Sequence, residues 1–251
     1  MPDRDTQLLR PNDIAEAVGL LTRLPVRLRG VPRGAAAAWA YPVAGLLVAA
    51  IGASVAWLAG GLPPAMTAGL ALAAMVIVTG ALHEDGLADT ADGLWGGWTR
   101  DRRLEIMRDS RIGAYGVLAL VFGVGLRWAA LAAIAGAGPL WPALLAAGAL
   151  SRAPMVAVMY ALPNARGDGL AAATGRPGGA TLWVAIFVGL GLAGLAIGWA
   201  VLPAALACGA ISAALALVAR AKIGGQTGDI LGATQQTSEI AILAVLAAAT
   251  V

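Results

Sequence analysis

Charge is scarce in this 251-residue chain: only 12% of its residues are Asp, Glu, Lys or Arg, about half the quarter that a soluble domain carries. One cysteine, Cys208, excludes an intramolecular disulfide, and with a single histidine, His83, there is no His/Cys set for zinc. Lysine is limited to Lys222, and the arginines are scattered through short polar stretches. No basic face could track a phosphate backbone, so a nucleic-acid partner is excluded despite a pI near 9.6. No Gly-Lys-Ser/Thr occurs, which removes a Walker A loop. The first 34 residues hold Arg4, Arg10, Arg23, Arg27, Arg29 and Arg33 and lack the uninterrupted apolar core of a secretory signal, so no cleavage is expected.

Apolar sequence is abundant instead. The chain is 59% hydrophobic with mean hydropathy +0.79, and its apolar runs have transmembrane length. They cover about 35–59, 65–82, 114–136, 140–162, 181–199 and 204–219, with a shorter last run at 240–251. This predicts an all-α polytopic membrane protein of about seven helices, six if the last run does not cross, forming one unit over residues 1–251. Within residues 1–34, Asn12 or Asp13 could cap a helix ending at Pro25, read as a short interfacial helix. Gly194-x-x-x-Gly198 suggests close helix packing, and Cys208 reads as core filler.

The charges fall on one side. With a cytoplasmic N-terminus, the stretches 83–113, 163–180 and 220–239 are cytoplasmic and hold nearly all the remaining basic residues, whereas 60–64, 136–140 and 199–203 hold no charge. All 14 carboxylates lie on the charged side: Asp3, Asp5, Asp13 and Glu16, seven between His83 and Tyr115, then Asp168, Asp229 and Glu239. The positive-inside rule does not gather acids, but a polar site facing the cytoplasm does. Arg127 and Arg152 lie inside apolar runs, where charge is costly. The favoured reading is structural, with both arginines bonded to helix carbonyls or to a carboxylate.

The central stretch carries the chemistry. Asp85, Asp89 and Asp92 recur at i, i+4 and i+7, one stripe of a helix. Three such carboxylates repel unless some are protonated or a cation lies among them, and Mg²⁺, an oxygen-seeking ion often shared with substrate phosphate, suits the set. His83 beside them is a candidate base or orienter. Asp101, Glu105 and Asp109 form a second row, starting at a Thr99 cap and interleaved with arginines as ion pairs would be. Arg108-Asp109-Ser110-Arg111 offers two guanidiniums and a hydroxyl for phosphate. The polar islands Asn164-Ala165-Arg166-Gly167-Asp168-Gly169 and Gly224-Gly225-Gln226-Thr227-Gly228-Asp229 are each ordinary turn chemistry. Together they read as further walls of one site, and the residue types imply a membrane enzyme that uses Mg²⁺ to transfer a phosphorus-containing or diphosphate-activated group.

The motifs HEDGLADTADG, LEIMRDSRIGAYG, NARGDGLA and KIGGQTGDILGA, with LLTRLPV near the N-terminus, resemble the cobalamin synthase (adenosylcobinamide-GDP ribazoletransferase) family in order and over nearly the whole chain. Glu84 departs from the pattern, standing where an apolar residue is expected. The resemblance implies transfer of the adenosylcobinamide phosphate group from adenosylcobinamide-GDP to α-ribazole or its 5′-phosphate, releasing GMP, in a late step of cobalamin biosynthesis. It places the protein in the bacterial inner membrane, N-terminus and site toward the cytoplasm, and is compatible with a homo-oligomer or assembly with pathway enzymes. In this reading Asp85, Asp89 and Asp92 hold Mg²⁺, while His83, Asp85 or Asp89 takes the hydroxyl proton. Arg108 and Arg111 hold phosphates, and Asp109, Asn164, Arg166, Asp168, Gln226, Thr227 and Asp229 line the substrate site. The rivals are a CDP-alcohol phosphotransferase, an intramembrane prenyltransferase and, from another class, a cation-coupled transporter. Ala-Arg is missing where the first needs it, no second Asp-rich motif recurs for the second, and the third favours acids near the midplane.

Overall fold

In the computed structural model, residues 8–250 are described; Asp3, Arg4 and Asp5 of the charge census lie outside them. Twelve α-helices follow one another: α1 (Pro11–Leu21), α2 (Tyr41–Leu58), α3 (Pro64–Thr79), α4 (Leu82–Gly96), α5 (Arg100–Ile106), α6 (Ala114–Ala137), α7 (Trp141–Leu150), α8 (Ala153–Ala161), α9 (Gly169–Thr174), α10 (Gly179–Ile197), α11 (Val201–Ile223) and α12 (Gly228–Ala248). Proline opens α1, α2, α3, α7 and α8 at a first-turn position, where its missing N–H has no helical partner to lose. Left-handed Gly80 and Gly224 close α3 and α11. Among the described residues the single strand-like feature is a bridge pairing Asn164 with Gln226.

The chain is a multi-pass membrane protein. Among the described residues, five stretches are long and apolar enough to cross, six if α3 and α4, bent by 86°, count as one span. The count falls short of the expected seven because α10 and α11 run on as one 45-residue stretch and α3, with 16 residues, is short by itself. At 1.5 Å per residue that stretch would be about 68 Å long, twice the hydrocarbon thickness. It breaks at Gly198, whose φ is +58°, and Ile186 and Leu190 of α10 then share one groove with Ala205 to Arg220 of α11. Leu195, Leu206 and Phe187 are exposed on the bundle surface, as lipid-facing side chains are. The close backbone approach is not at Gly194-x-x-x-Gly198. Gly198 ends a helix, and a Cβ on Gly194 would meet only Val201 of the same hairpin. It lies between Gly45 of α2 and Gly148 of α7, each leaving no room for a Cβ against the other's carbonyl.

Helix α4 does not continue the crossing. Gly80 (φ +64°) and Ala81 (φ +58°) are both left-handed, and the double turn swings α4 through 86° away from α3. Glycine takes the left-handed turn at position 80 without strain, and a Cβ there would lie 2.5 Å from Arg23 Nε, so that side chain would have to move. α4 therefore lies across the charged end of the bundle and packs on α12. Gly86 and Gly232 make that contact: a Cβ on Gly86 would come within 2.9 Å of the Asp229 carbonyl oxygen.

The N-terminal helix is half-embedded rather than floating. Asp13 and Glu16 are buried along with Ala17, Val18 and Leu21. Asp13 accepts hydrogen bonds from the Arg10 backbone N–H, Arg33 and Trp39, and Glu16 accepts from the backbone N–H groups of Arg33 and Gly34. Arg10, not Asn12 or Asp13, is the N-cap residue.

A candidate two-chambered site at the charged end

The stripe on α4 forms as a helix, but its third carboxylate turns inward. Both Asp92 oxygens accept backbone hydrogen bonds, from Gly113 at 2.7 Å and Gly116 at 2.9 Å, at the start of α6. A carboxylate at a helix N-terminus is favourable because it satisfies otherwise unpaired N–H groups. Asp92 is thus a strut between α4 and α6, with both oxygens engaged by backbone N–H groups where the sequence reading places it on the metal. Asp85 is exposed and Asp89 half-buried. Burial, with the like charges of Asp85 and Asp229, pushes Asp89 up to about 7. Among the described residues no three His, Cys, Asp or Glu side chains converge on a metal point.

Two cavities flank this helix, and Asp85 lines both. The inner one, about 830 Å³ including its mouth, is walled by α1, α2, α4, α8, α9 and α12. His83, Arg166, Asp168, Thr227 and Asp229 border it beside apolar Tyr41, Met155 and Met159. The outer one, about 890 Å³, is bordered by Asp85, Asp89 and the Arg108-Asp109-Ser110-Arg111 turn. Most of the sequence-expected residues thus gather at one end, divided between two chambers, while Asp92, Asn164 and Gln226 line neither.

Details differ from the expectation. Arg108 donates to both Asp168 oxygens at 2.6 Å, joining the rims of the two chambers. Arg111 pairs with Asp109 at 2.6 Å and holds its carboxyl down to about 2. Both pairs are exposed, so exchanging the carboxylate for a phosphate costs little. Arg166 lies 2.7 Å from Asp229, yet its Nε and Nη2 lack an aligned hydrogen-bond partner. Thr227 caps α12, accepting from the Ile230 N–H and donating to Asp229. Asn164 and Gln226 border neither chamber. Asn164 Oδ1 instead accepts from the Arg166 and Gly167 backbones, and the Asn164–Gln226 bridge ties the two polar loops together. Gly225 there admits no Cβ against the Pro163 carbonyl.

His83 is 1% exposed, and neither ring nitrogen has a partner. Burial and the nearby Arg152 and Arg127 push its pKa well below 6.5, so the ring is neutral. Beneath it lies a network that sequence reading found only in part. Arg127 Nη2 meets Glu84 at 2.8 Å and its Nη1 reaches Glu239 at 3.4 Å. Arg152 donates to Glu239 at 3.1 Å and to the Gly148 carbonyl at 3.0 Å. Gln235 bonds Glu239, and Gln236 bonds Glu84. The structural reading of the two arginines holds. Glu239, expected in a loop at the membrane edge, is buried near the middle of α12 because that helix begins already at Gly228.

The second acidic row is scaffold. Arg100 donates to the carbonyls of Ile223 and Ala165, and Arg103 to that of Lys222. Lys222 in turn caps α4 through the Leu94 carbonyl. Arg102 pairs with Glu105 at 2.8 Å, and Thr99 caps α5.

The arrangement puts Asp85 on the wall of both an arginine-rimmed chamber and one with Tyr41, Met155 and Met159 in its lining. Comparison with known proteins gives this geometry a family. Residues 13–247 match the family model described as cobalamin-5-phosphate synthase. The chain is 51% identical to the adenosylcobinamide-GDP ribazoletransferase of Bradyrhizobium diazoefficiens, over 94% of this chain and 93% of the relative. It is 46% identical to the enzyme of that name from Mesorhizobium japonicum, over 95% and 93% of the two chains, and 45% identical to that of Allorhizobium ampelinum, over 95% and 97%. No solved structure matches it. With the family model covering most of its length and relatives near half-identical end to end, this chain belongs to the cobalamin-5-phosphate synthase family.

Proposed function

We propose that this chain transfers the adenosylcobinamide phosphate group from adenosylcobinamide-GDP to a ribose hydroxyl of α-ribazole or its 5′-phosphate, releasing GMP. The observation that carries the reading is Asp85, the carboxylate common to the two chambers. The acceptor hydroxyl oxygen bonds to the phosphorus that bears cobinamide, the anhydride P–O bond breaks, and its electron pair leaves on GMP. The hydroxyl proton passes to Asp85 or Asp89. His83, kept neutral by burial and two guanidiniums, is poorly placed to become an imidazolium. Its free nitrogens suit it to orienting the hydroxyl. Arg108 and Arg111 exchange their carboxylate partners for the diphosphate.

Asp85 and Asp89 would hold Mg²⁺, which when bound supplies positive charge to the diphosphate. The fit rests on Asp89: a carboxylate raised to about 7 by burial and neighbouring acids is one that a cation relieves. Two carboxylates together with substrate phosphate are a common ligand set for Mg²⁺, and Asp85 and Asp89 would supply the protein's part of it. We place the charged end toward the cytoplasm of a bacterial inner membrane. That end carries Arg100, Arg103, Arg108 and Lys222, and the turn at 60–64 on the opposite side carries no charge.

The test is GMP release from adenosylcobinamide-GDP and α-ribazole by purified protein with Mg²⁺. GMP dependent on both α-ribazole and Mg²⁺ supports the reading, and its absence from folded protein overturns it.

A further inference from the structure

We infer that the inner chamber is the acceptor site and takes the nucleoside base-first, with the benzimidazole against Tyr41, Met155 and Met159 and the ribose toward Asp85. This rests on the transfer reading above and adds which substrate occupies which chamber.

Three observations on the inner chamber carry it. Its deep wall is apolar and enclosed: Tyr41, Met155 and Met159 are 3%, 4% and 1% exposed. A methylated benzimidazole has no exocyclic amine or carbonyl to satisfy, so an apolar slot with an aromatic and two pliable thioethers accommodates it without stranding polar groups. Second, His83 is almost fully buried on the same wall with both ring nitrogens unpartnered. Buried polar atoms without partners are rare in folded proteins. A donor and an acceptor held open in this way fit a ligand carrying hydroxyls. Third, Asp85 is the point where this chamber meets the outer one, so a ribose at the mouth presents its hydroxyl to the reacting phosphorus.

The outer chamber suits the donor for complementary reasons. Arg108 and Arg111 are exposed, with side-chain accessibilities of 52% and 87%, and can swing onto a diphosphate. Ser110 and Ile112 beside them are exposed as well, leaving room for an adenosylated corrin ring. The inner chamber, walled by buried Tyr41, Met155 and Met159, suits the compact nucleoside.

The experiment separates the Michaelis constants of the two substrates in full-length enzyme in detergent. Met159→Trp fills the deep wall. Leu170→Trp narrows the mouth from an exposed position on α9 that the fold does not depend on. Each is expected to raise the KM for α-ribazole by about tenfold or more while the KM for adenosylcobinamide-GDP stays within about twofold. Arg111→Ala is expected to do the reverse. If Met159→Trp does not fold, Leu170→Trp decides alone. A rise in the donor KM with the tryptophan variants, or no rise in either, overturns the chamber assignment. Wild-type protein that releases no GMP would instead overturn the function itself, so the two failures are distinguishable.

Discussion

Arg127→Met should unfold this protein more readily than any change at the rim of its chambers. Arg127 is 2% exposed and faces two carboxylates, Glu84 at 2.8 Å and Glu239 at 3.4 Å. Together with Arg152 the cluster is neutral, two guanidiniums against two carboxylates. Removing Arg127 leaves Glu84 held only by Gln236 and the cluster one negative charge in excess. Two unit charges about 4 Å apart interact by about 4 kcal/mol at an effective dielectric of 20. Breaking a buried pair from one side costs about 3–5 kcal/mol, so the two estimates agree. For a chain of this size about 1 kcal/mol moves the melting temperature by about 2–4 °C, giving a fall on the order of 10 °C in detergent.

The cycle with Glu84→Leu makes the test specific. The double variant Arg127→Met/Glu84→Leu removes one charge of each sign and leaves the Arg152–Glu239 pair intact. It should recover most of the loss, since an apolar replacement of a buried pair is often neutral. Melting followed by tryptophan fluorescence or by aggregation during size exclusion reads the result. A single variant within about 2 °C of wild type, or a double variant as unstable as the sum of the singles, refutes the reasoning.

Other expectations follow from the same geometry. Asp92→Asn should lower stability, because one backbone N–H at the start of α6 loses its acceptor, while the Mg²⁺ concentration for half-maximal activity stays unchanged; a rise in that concentration would return Asp92 to the metal. Asp89, raised to about 7, binds its proton in competition with Mg²⁺, so apparent Mg²⁺ affinity should fall by about tenfold per pH unit below 7 and level off above. Without Mg²⁺, the folded state holds this proton where the unfolded chain has lost it, so stability should decline as pH rises from about 4 to about 7. A Mg²⁺ affinity independent of pH from 5 to 8 contradicts both. Asp85→Asn should cost at least about a hundredfold in kcat, and His83→Gln, which keeps a donor and an acceptor, about tenfold or less; equal losses would make His83 the base.

Much of this architecture is legible from periodicity. Helix α4 follows from the aspartate spacing, the apolar runs mark the crossings, and the gathering of acids at one end marks the site. Asp92 was misplaced because a helical wheel fixes a direction and not a partner: its face is set by the stripe, but Gly113 and Gly116 reach it from 21 and 24 residues away. Glu239 was misplaced because polar Gln235, Gln236, Thr237 and Ser238 before it read as loop, whereas Gln235, Gln236 and Ser238 find buried partners at the end of α7, on α4 and on α11 once those elements pack on α12, and Thr237 donates to the Ala233 carbonyl of α12 itself. Glu84, an oddity in the pattern, becomes intelligible only beside Arg127, 43 positions later. No local signal could have found Tyr41, Met155 and Met159 as chamber walls, since each looks like any membrane core residue until the helices meet.

The buried cluster and the surface site are parts of one mechanical arrangement. Glu84 and Asp85 are neighbours on α4, about 100° apart around its axis, so they face different surroundings: Glu84 meets Arg127 and Asp85 lines both chambers. Left-handed Gly80 and Ala81 free α4 from the direction of α3, and such a joint alone would leave its orientation loose. The charge cluster removes that freedom, drawing on α6 through Arg127, on the α7–α8 break through Arg152 and on α12 through Glu239. Asp92 fixes the same helix further along against α6, and Lys222 holds its last turn. Salt-bridge geometry is directional, so α4 cannot roll by even one residue without breaking Glu84 from Arg127. The buried charges, costly among apolar helices, therefore hold Asp85 and Asp89 in fixed register with both chambers.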